Sequence, residues 1–332
     1  MYISIYANKV PDLIFEIADT PEMQRLSDVG MHCGCEYAGF PIYQQVKSNY
    51  TRLMHSIGVA SIVWNFTQDI KQTVAGLLHD ISTPTFAHAI DFLNGDYVMQ
   101  ESTEDKTSLF IKKSKSIAAL LESHGIEADD VGDYHKYPIA DNDTPMLSAD
   151  RLEYTFGNGY IVHKMSLHGI QDIYDDLAVV KNENNIDELC FESMALARKF
   201  VALSLKNSYW FVSDEDRFSM QYLADMIQYA IQKNILSFDD LYTTESNVIL
   251  KLRNHETTFA LWEGYTKISA VSASDKKDEN SYCVNVSVKK RYIDPLVIVE
   301  NTPKRISDVD ESIKEKFGRF LSLDFNRWIS AK

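Results

Sequence analysis

No stretch of the 332-residue chain is apolar for anything near the roughly 20 residues a membrane helix needs, so no membrane span is expected. Cysteine is scarce. Cys33, Cys35, Cys190 and Cys283 are too few to staple a chain of this length, and reduced thiols are the expectation. His32-Cys33-Gly34-Cys35 is followed by no second ligand pair at zinc-like spacing, which favours buried or idle thiols over a soft-metal site. Positive charge is also short: 33 Lys and Arg against 48 Asp and Glu leave a net charge of −15. That deficit opposes an extended nucleic-acid surface, which needs a basic face. A phosphate ligand would have to be drawn by a local group of Arg, Lys and metal acting against the global field. There is no internal repeat and no low-complexity segment, and the opening Met1–Tyr6 has no basic segment leading into a long apolar one. A cytoplasmic protein is the expectation.

What is present is a chain with 45% hydrophobic and 11% aromatic residues, long enough to bury a substantial core. Its periodicity predicts a mainly α fold. A helical region spans residues 1–190, and 191–332 forms a smaller C-terminal α+β region. Asp19-Thr20-Pro21 reads as a helix start, and residues 31–50 read as a loop. Helices are expected from Tyr50 to about Asp69, from Thr107 to Ser123, and through most of 191–241. Alternation becomes prominent only after about residue 260, in Lys267–Ala273 and Tyr282–Val288, where strands joined by a loop or hairpin are expected.

The chain is organised around Leu77-Leu78-His79-Asp80-Ile81-Ser82-Thr83-Pro84-Thr85-Phe86-Ala87-His88-Ala89-Ile90-Asp91. An apolar run ends on His79 and Asp80, and Pro84 stops the helix. A second short helix from Thr85 to about Leu93, closed by Asn94-Gly95, would put His88 and Asp91 on one face. An imidazole beside a carboxylate at the end of an apolar helix is costly to bury unless something satisfies both, and a divalent cation does so. A capping Asp beside a core His is the bland alternative. His55 shares a helical face with Val59, Ile62 and Phe66 and so points inward, with Arg52 one turn earlier. Asp150 stands among apolar neighbours at the start of another helix, where it could cap or ligate. Lys289-Lys290-Arg291 reads as a solvated charge run or as an anion contact.

Taken together these residues resemble the HD-domain superfamily of metal-dependent phosphohydrolases, and within it the deoxynucleoside triphosphate triphosphohydrolase branch. The spaced signature is present as His55, His79-Asp80 and Asp150. Its surroundings are similar too: Asp19-Thr20-Pro21 with Gln24-Arg25-Leu26, Thr51-Arg52, Phe86-Ala87-His88, and Ser148-Ala149-Asp150-Arg151-Leu152-Glu153-Tyr154. The similarity covers roughly residues 15–165, with a fainter echo at Arg291-Tyr292-Ile293-Asp294-Pro295. It implies a helical domain in which His55, His79, Asp80 and Asp150 coordinate one divalent ion. Two nitrogens and two carboxylates suit Mn, Fe, Ni, Zn or Mg. Arg52 would neutralise a substrate phosphate, with Lys289, Lys290 and Arg291 as further anion contacts. Self-association is a further implication.

The departures from that branch concern proton transfer. The family His four residues beyond the motif His is Thr83 here, and a second is Thr103, followed by Glu104. His88, with Asp91 placed to orient it, is the surviving candidate. The expected activity is hydrolysis of a nucleotide or other small phosphate ester with a reduced proton-transfer apparatus. The alternative is a weakly active or inactive nucleotide-binding regulatory protein.

Overall fold

The structure is a computed structural model that describes residues 2–7, 9–46, 50–93, 95–97 and 106–332. The chain runs through α1 (Asp12–Ala18) and α2 (Pro21–Gln24), a loop of short 3-10 turns, and the paired helices α3 (Arg52–Thr67) and α4 (Ile70–Leu78). Next come α5 (Ala89–Leu93), α6 (Thr107–Lys113), α7 (Lys115–Ser123), α8 (Ala128–Val131), α9 (Ala149–Ile161) and α10 (Leu167–Tyr174). The strands β1 (Leu177–Lys181) and β2 (Asp187–Phe191) lead to the long α11 (Met194–Trp210) and α12 (Asp214–Gln232), then α13 (Glu245–Arg253) and α14 (Glu256–Lys267). The last stretch contains β3 (Val271–Ser274), β4 (Cys283–Val284), β5 (Leu296–Val299), β6 (Thr302–Arg305), α15 (Ile306–Val309), α16 (Glu311–Leu321) and β7 (Trp328–Ala331). The fold is mainly α, as expected, and no helix among the described residues is long and apolar enough to cross a membrane.

Local chemistry sets the pieces that matter for the site. The Thr51 hydroxyl accepts from Met54 N–H and so caps α3, which ends where Gln68 turns left-handed at φ 51°. Asp69 then caps α4 by accepting from Lys71 and Gln72 N–H, so a two-residue link folds α4 back along α3. On its other side α3 packs against α9. This explains why α3 is apolar nearly all round. Its Leu53 and Ala60 belong to a smaller core with Ile17, Val74, Leu78 and Leu121, while Val59, Ile62 and Val63 belong to a larger one reaching Phe156, Phe200, Phe317 and Ile329.

The structure corrects several expectations. The helix through Thr107–Ser123 is two helices, because Ser114 turns extended and its hydroxyl caps α7 through Ile117 N–H. The helix expected from Thr85 begins only at Ala89, because Phe86 and Ala87 adopt φ of 61° and 40°; Asn94 lies outside the described residues. Strands also appear before residue 260: β1 and β2 pair antiparallel, and β2 pairs in parallel with β5 to give the sheet order β1-β2-β5-β6. These five-residue runs are too short for alternation to stand out, and Asn185, left-handed at φ 60°, is what turns the chain between them. Finally, β3 and β4 do not form a hairpin with each other; β7 lies between them and pairs with both.

Candidate metal centre and catalytic recess

Three helix ends meet at the site. His55 lies on the first turn of α3 and is buried. Its Nδ1 donates to Glu153 Oε2 at 2.5 Å, and its Nε2 lies 2.9 Å from Asp150 Oδ1. His79 closes α4. Its Nδ1 donates to the Gly76 carbonyl at 2.7 Å, which leaves the Nε2 lone pair directed at Asp80 Oδ2 (3.6 Å) and Asp150 Oδ1 (3.7 Å). Single donor atoms of His55, His79 and Asp80 all lie within 4.8 Å of one another. Asp150, on the first turn of α9, is freed from capping because Ser148 already accepts Arg151 N–H. Arg151 in turn holds Asp141, Asn142 and Ser148, fixing the loop before α9 beneath the site.

The electrostatics single out the same point. Burial alone would raise Asp80, but the Arg52 guanidinium at 2.9 Å, then His79, His55 and the Thr83 hydroxyl, hold it well below the ordinary carboxylate value. Burial would also raise Asp150, which His55, His79 and Arg151 instead bring down to about 2. Burial would lower His55; hydrogen bonds to Asp150 and Glu153, and their charges, raise it to about 10. Two carboxylates therefore converge on the two nitrogens of one buried imidazole and favour positive charge there, which a cation held at Nε2 would supply in place of the ring proton. The donor set of two Nε2 lone pairs and two ionised carboxylates fits a divalent cation.

Glu153 was not singled out from sequence as a functional residue. It is fully buried, and its Oε2 also accepts from Tyr50 OH at 2.6 Å. It fixes the Nδ1–H form of His55, so Nε2 faces the ligand position, as outer hydrogen bonds do for metal-bound imidazoles. Two sequence signals point to it: it lies three residues after Asp150 on one helical face, and Gly58 opposite leaves it room. A Cβ on Gly58 would come within 2.6 Å of Glu153 Cγ.

His88 follows His79 by nine residues and feels the charge of Arg52, the partner of Asp80. Its Nδ1 donates to Asp91 Oδ2 at 2.9 Å, and Asp91 is buried. Burial lowers the His88 pKa; Asp91 opposes, while the charges of Arg291 and Arg52 lower it further, so the ring is held neutral. Its side chain nevertheless keeps 32% of its surface, and Asp150 keeps 25%. His88 and Asp150 thus keep a solvent-facing side, and that side of the site is the candidate recess. The charge of Arg291 reaches His88, Tyr154 and Asp216. Lys290 is engaged elsewhere: its ammonium donates to the Leu321 and Leu323 carbonyls and lies over the Phe325 ring. Lys289 is half-buried next to it. Arg52 is engaged with Asp80, its Nε buried without a hydrogen bond among the described residues. Thr83 donates to Asp80 Oδ1 at 2.7 Å, so the residue at the family His position braces a candidate ligand. Thr103 and Glu104 lie outside the described residues.

The turn that delivers His88 is strained. Phe86 and Ala87 are consecutive left-handed residues without being glycine, at a cost of roughly 1–2 kcal/mol each.

No protein-family profile matches the chain. An uncharacterised protein from Bacillus subtilis, YdhJ, is 26% identical over 314 residues, which cover 92% of this chain and 90% of that protein. The metal-dependent phosphohydrolase cns2 of Cordyceps militaris is 26% identical over 216 residues, 65% of this chain and 59% of the relative. The deoxynucleoside triphosphate triphosphohydrolase SAMHD1 homolog of Dictyostelium discoideum is 23% identical over 217 residues, 56% of this chain and 39% of the relative. The chain thus spans only about two fifths to three fifths of these two relatives' lengths. Among solved structures, a phosphohydrolase from Bacteroides thetaiotaomicron superimposes with a TM-score of 0.64 at 16% identity, covering 97% of this chain and 96% of that one, a likeness of fold. The drawing together of His55, His79 and Asp80 and these relatives support a place in the HD-domain superfamily of metal-dependent phosphohydrolases, with only a distant likeness to its triphosphohydrolase branch.

Proposed function

We propose that the protein is a metal-dependent phosphohydrolase that cleaves a nucleotide or another small phosphate ester, using His55, His79, Asp80 and Asp150 as metal ligands. The observation that carries this reading is the convergence of two imidazole Nε2 atoms and two carboxylates beside a neutral His88. When bound, the ion would supply Lewis acidity toward a phosphoryl oxygen and toward water, the chemistry that phosphate-ester hydrolysis needs. His88, with Nδ1–H held by Asp91, is free to take up or return a proton at Nε2. Arg52 and Arg291 would offset the charge of a phosphate. The reading puts the protein in the cytoplasm, with self-association carried over from the triphosphohydrolase resemblance.

A specific observation favours a second reading, a nucleotide-binding regulator with little turnover: Thr83 is bonded to Asp80 and offers no base where the family has a His. The test is metal analysis of purified protein, followed by a phosphate-release screen over nucleotides and phosphomonoesters with Mn, Fe, Ni, Zn and Mg. His88→Ala is expected to cut turnover by about 10²-fold or more with metal content unchanged. Asp80→Ala should lose metal and activity together. Nucleotide binding that depends on Arg52, without turnover under any of these metals, would replace the enzymatic reading with the regulatory one.

A further inference from the structure

The first residue of α13 joins two loops that reach the recess from different parts of the chain. Glu245 is 2% exposed. Its Oε1 accepts from Gly30 N–H at 3.0 Å and from Phe86 N–H at 3.4 Å, and its Oε2 accepts from Tyr37 OH at 2.7 Å. Gly30 forms a β-bridge with Thr51, the cap of α3, and Arg52 N–H donates to Val29 O at 2.9 Å. That loop therefore sets the start of the helix carrying Arg52 and His55. Phe86 opens the left-handed pair that leads into His88. Such a conformation persists only where its surroundings over-determine it. Here Thr85 N–H donates to Leu241 O at 2.7 Å, the Phe86 ring is buried edge-on to Tyr37, and Glu245 holds the Phe86 amide.

We propose that Glu245 is a positioning residue of the recess: one carboxyl holds the Phe86–Ala87 turn, and with it His88, at a fixed distance from the loop that sets Arg52. The functional part of this inference rests on His88 as the proton-transfer group. Burial, then the neighbouring Glu36 carboxyl, push Glu245 up to about 8 from an ordinary 4.5, so it carries a proton at neutral pH. A glutamine is therefore the conservative substitute, with an amide oxygen to accept both N–H groups.

The experiment compares Glu245→Gln, Glu245→Ala and Glu245→Asp in the full-length metal-loaded protein. Turnover is read with p-nitrophenyl phosphate, and the titration of His88 is followed by NMR. Glu245→Ala should lower kcat by about 10- to 100-fold with metal content unchanged, as expected for an ångström-scale misplacement of a reacting group. Glu245→Gln should keep most of the activity. If the alanine variant does not fold, Glu245→Asp, one methylene too short to reach Phe86 N–H, takes its place. In a His88→Ala background the Glu245→Ala loss should vanish; equal losses in both backgrounds would overturn the proposal, since the effect would then not pass through His88. The NMR arm needs no activity. In Glu245→Ala, or Glu245→Asp in its place, the His88 pKa should rise toward its ordinary value as the ring becomes less buried and leaves the field of Arg291 and Arg52. An unmoved His88 titration there overturns the positioning role. A His88→Ala variant with full turnover instead sinks the proton-transfer reading, and the titration alone then decides the positioning role.

Discussion

Glu153 controls His55 through a single hydrogen bond, and the consequence can be read in metal affinity. A glutamine at 153 can present its amide N–H to Nδ1, which would move the ring proton to Nε2 and turn a donor lone pair away from the ion. Glu153→Gln should weaken metal binding by about 10- to 100-fold, measured by metal titration of chelator-treated protein. An unchanged affinity would show that Tyr50 and Asp150 suffice to orient the ring. His32 makes a different residue-scale prediction. It is buried against Trp210 with Nε2 on Asn158 Oδ1 at 2.9 Å, and burial, aided by Arg52 and opposed by Asn158, lowers it from 6.5 to about 4. Because the unfolded chain binds the proton more readily, stability is unaffected above pH 6.5 and falls as pH drops toward 4, by about 3 kcal/mol in all. Thermal unfolding of His32→Gln should show a shallower dependence between pH 6.5 and 4 than the unsubstituted protein; identical slopes would refute the assignment. The metal-ligand candidates were legible in sequence because their spacing and types are distinctive. Glu153 was half legible, and Glu245 was not, since its contact with Phe86 joins residues 159 apart and no local pattern records it. Lys290 misled for the opposite reason: a charge run looks the same in sequence whether its ammonium is free or pinned to two carbonyls.

At the scale of the element, α3 shows propensity yielding to chemistry. Alanine is better than glycine in a helix interior by about 1 kcal/mol. At position 58 that gain is opposed, because a methyl group would meet Glu153 at 2.6–2.9 Å. Crowding a packed core usually costs about 1–3 kcal/mol, so Gly58→Ala should lower the melting temperature and reduce metal content together. A stabilised variant with full metal content would show that Glu153 has room to spare. The same contest explains which helix ends could be read. Thr51, Asp69 and Ser148 are ordinary caps and announce their helices. The late start of α5 was hidden, because left-handed Phe86 and Ala87 carry none of the glycine or asparagine signals that mark such turns.

Across the whole molecule, the C-terminal sheet is locked to the site by one ion pair. Arg305 donates to both oxygens of fully buried Glu188, at 2.6 and 2.7 Å, and Glu188 Oε1 also accepts from Leu147 N–H, three residues before Asp150. Removing the cation strands a buried carboxylate, so Arg305→Ala should cost about 3–5 kcal/mol in denaturant unfolding. Arg305→Lys should recover little of it, since a lysine cannot make the paired contact. A loss under 1 kcal/mol would mean that water reaches Glu188. The parallel contact between β2 and β5 also has a temporal side. Cys190 and Phe191 must wait for Leu296 and Val297, about a hundred residues later, whereas α3 and α4 are joined by a two-residue link. Closing so long a loop is slow. As the chain leaves the ribosome, His55, His79, Asp80 and Asp150 can meet before Arg305 has been made, and Glu188 then spends that interval without its partner. Pulse-labelled refolding should show amide protection in α3 and α4 ahead of β5 and β6; the reverse order would mean that the sheet templates the site.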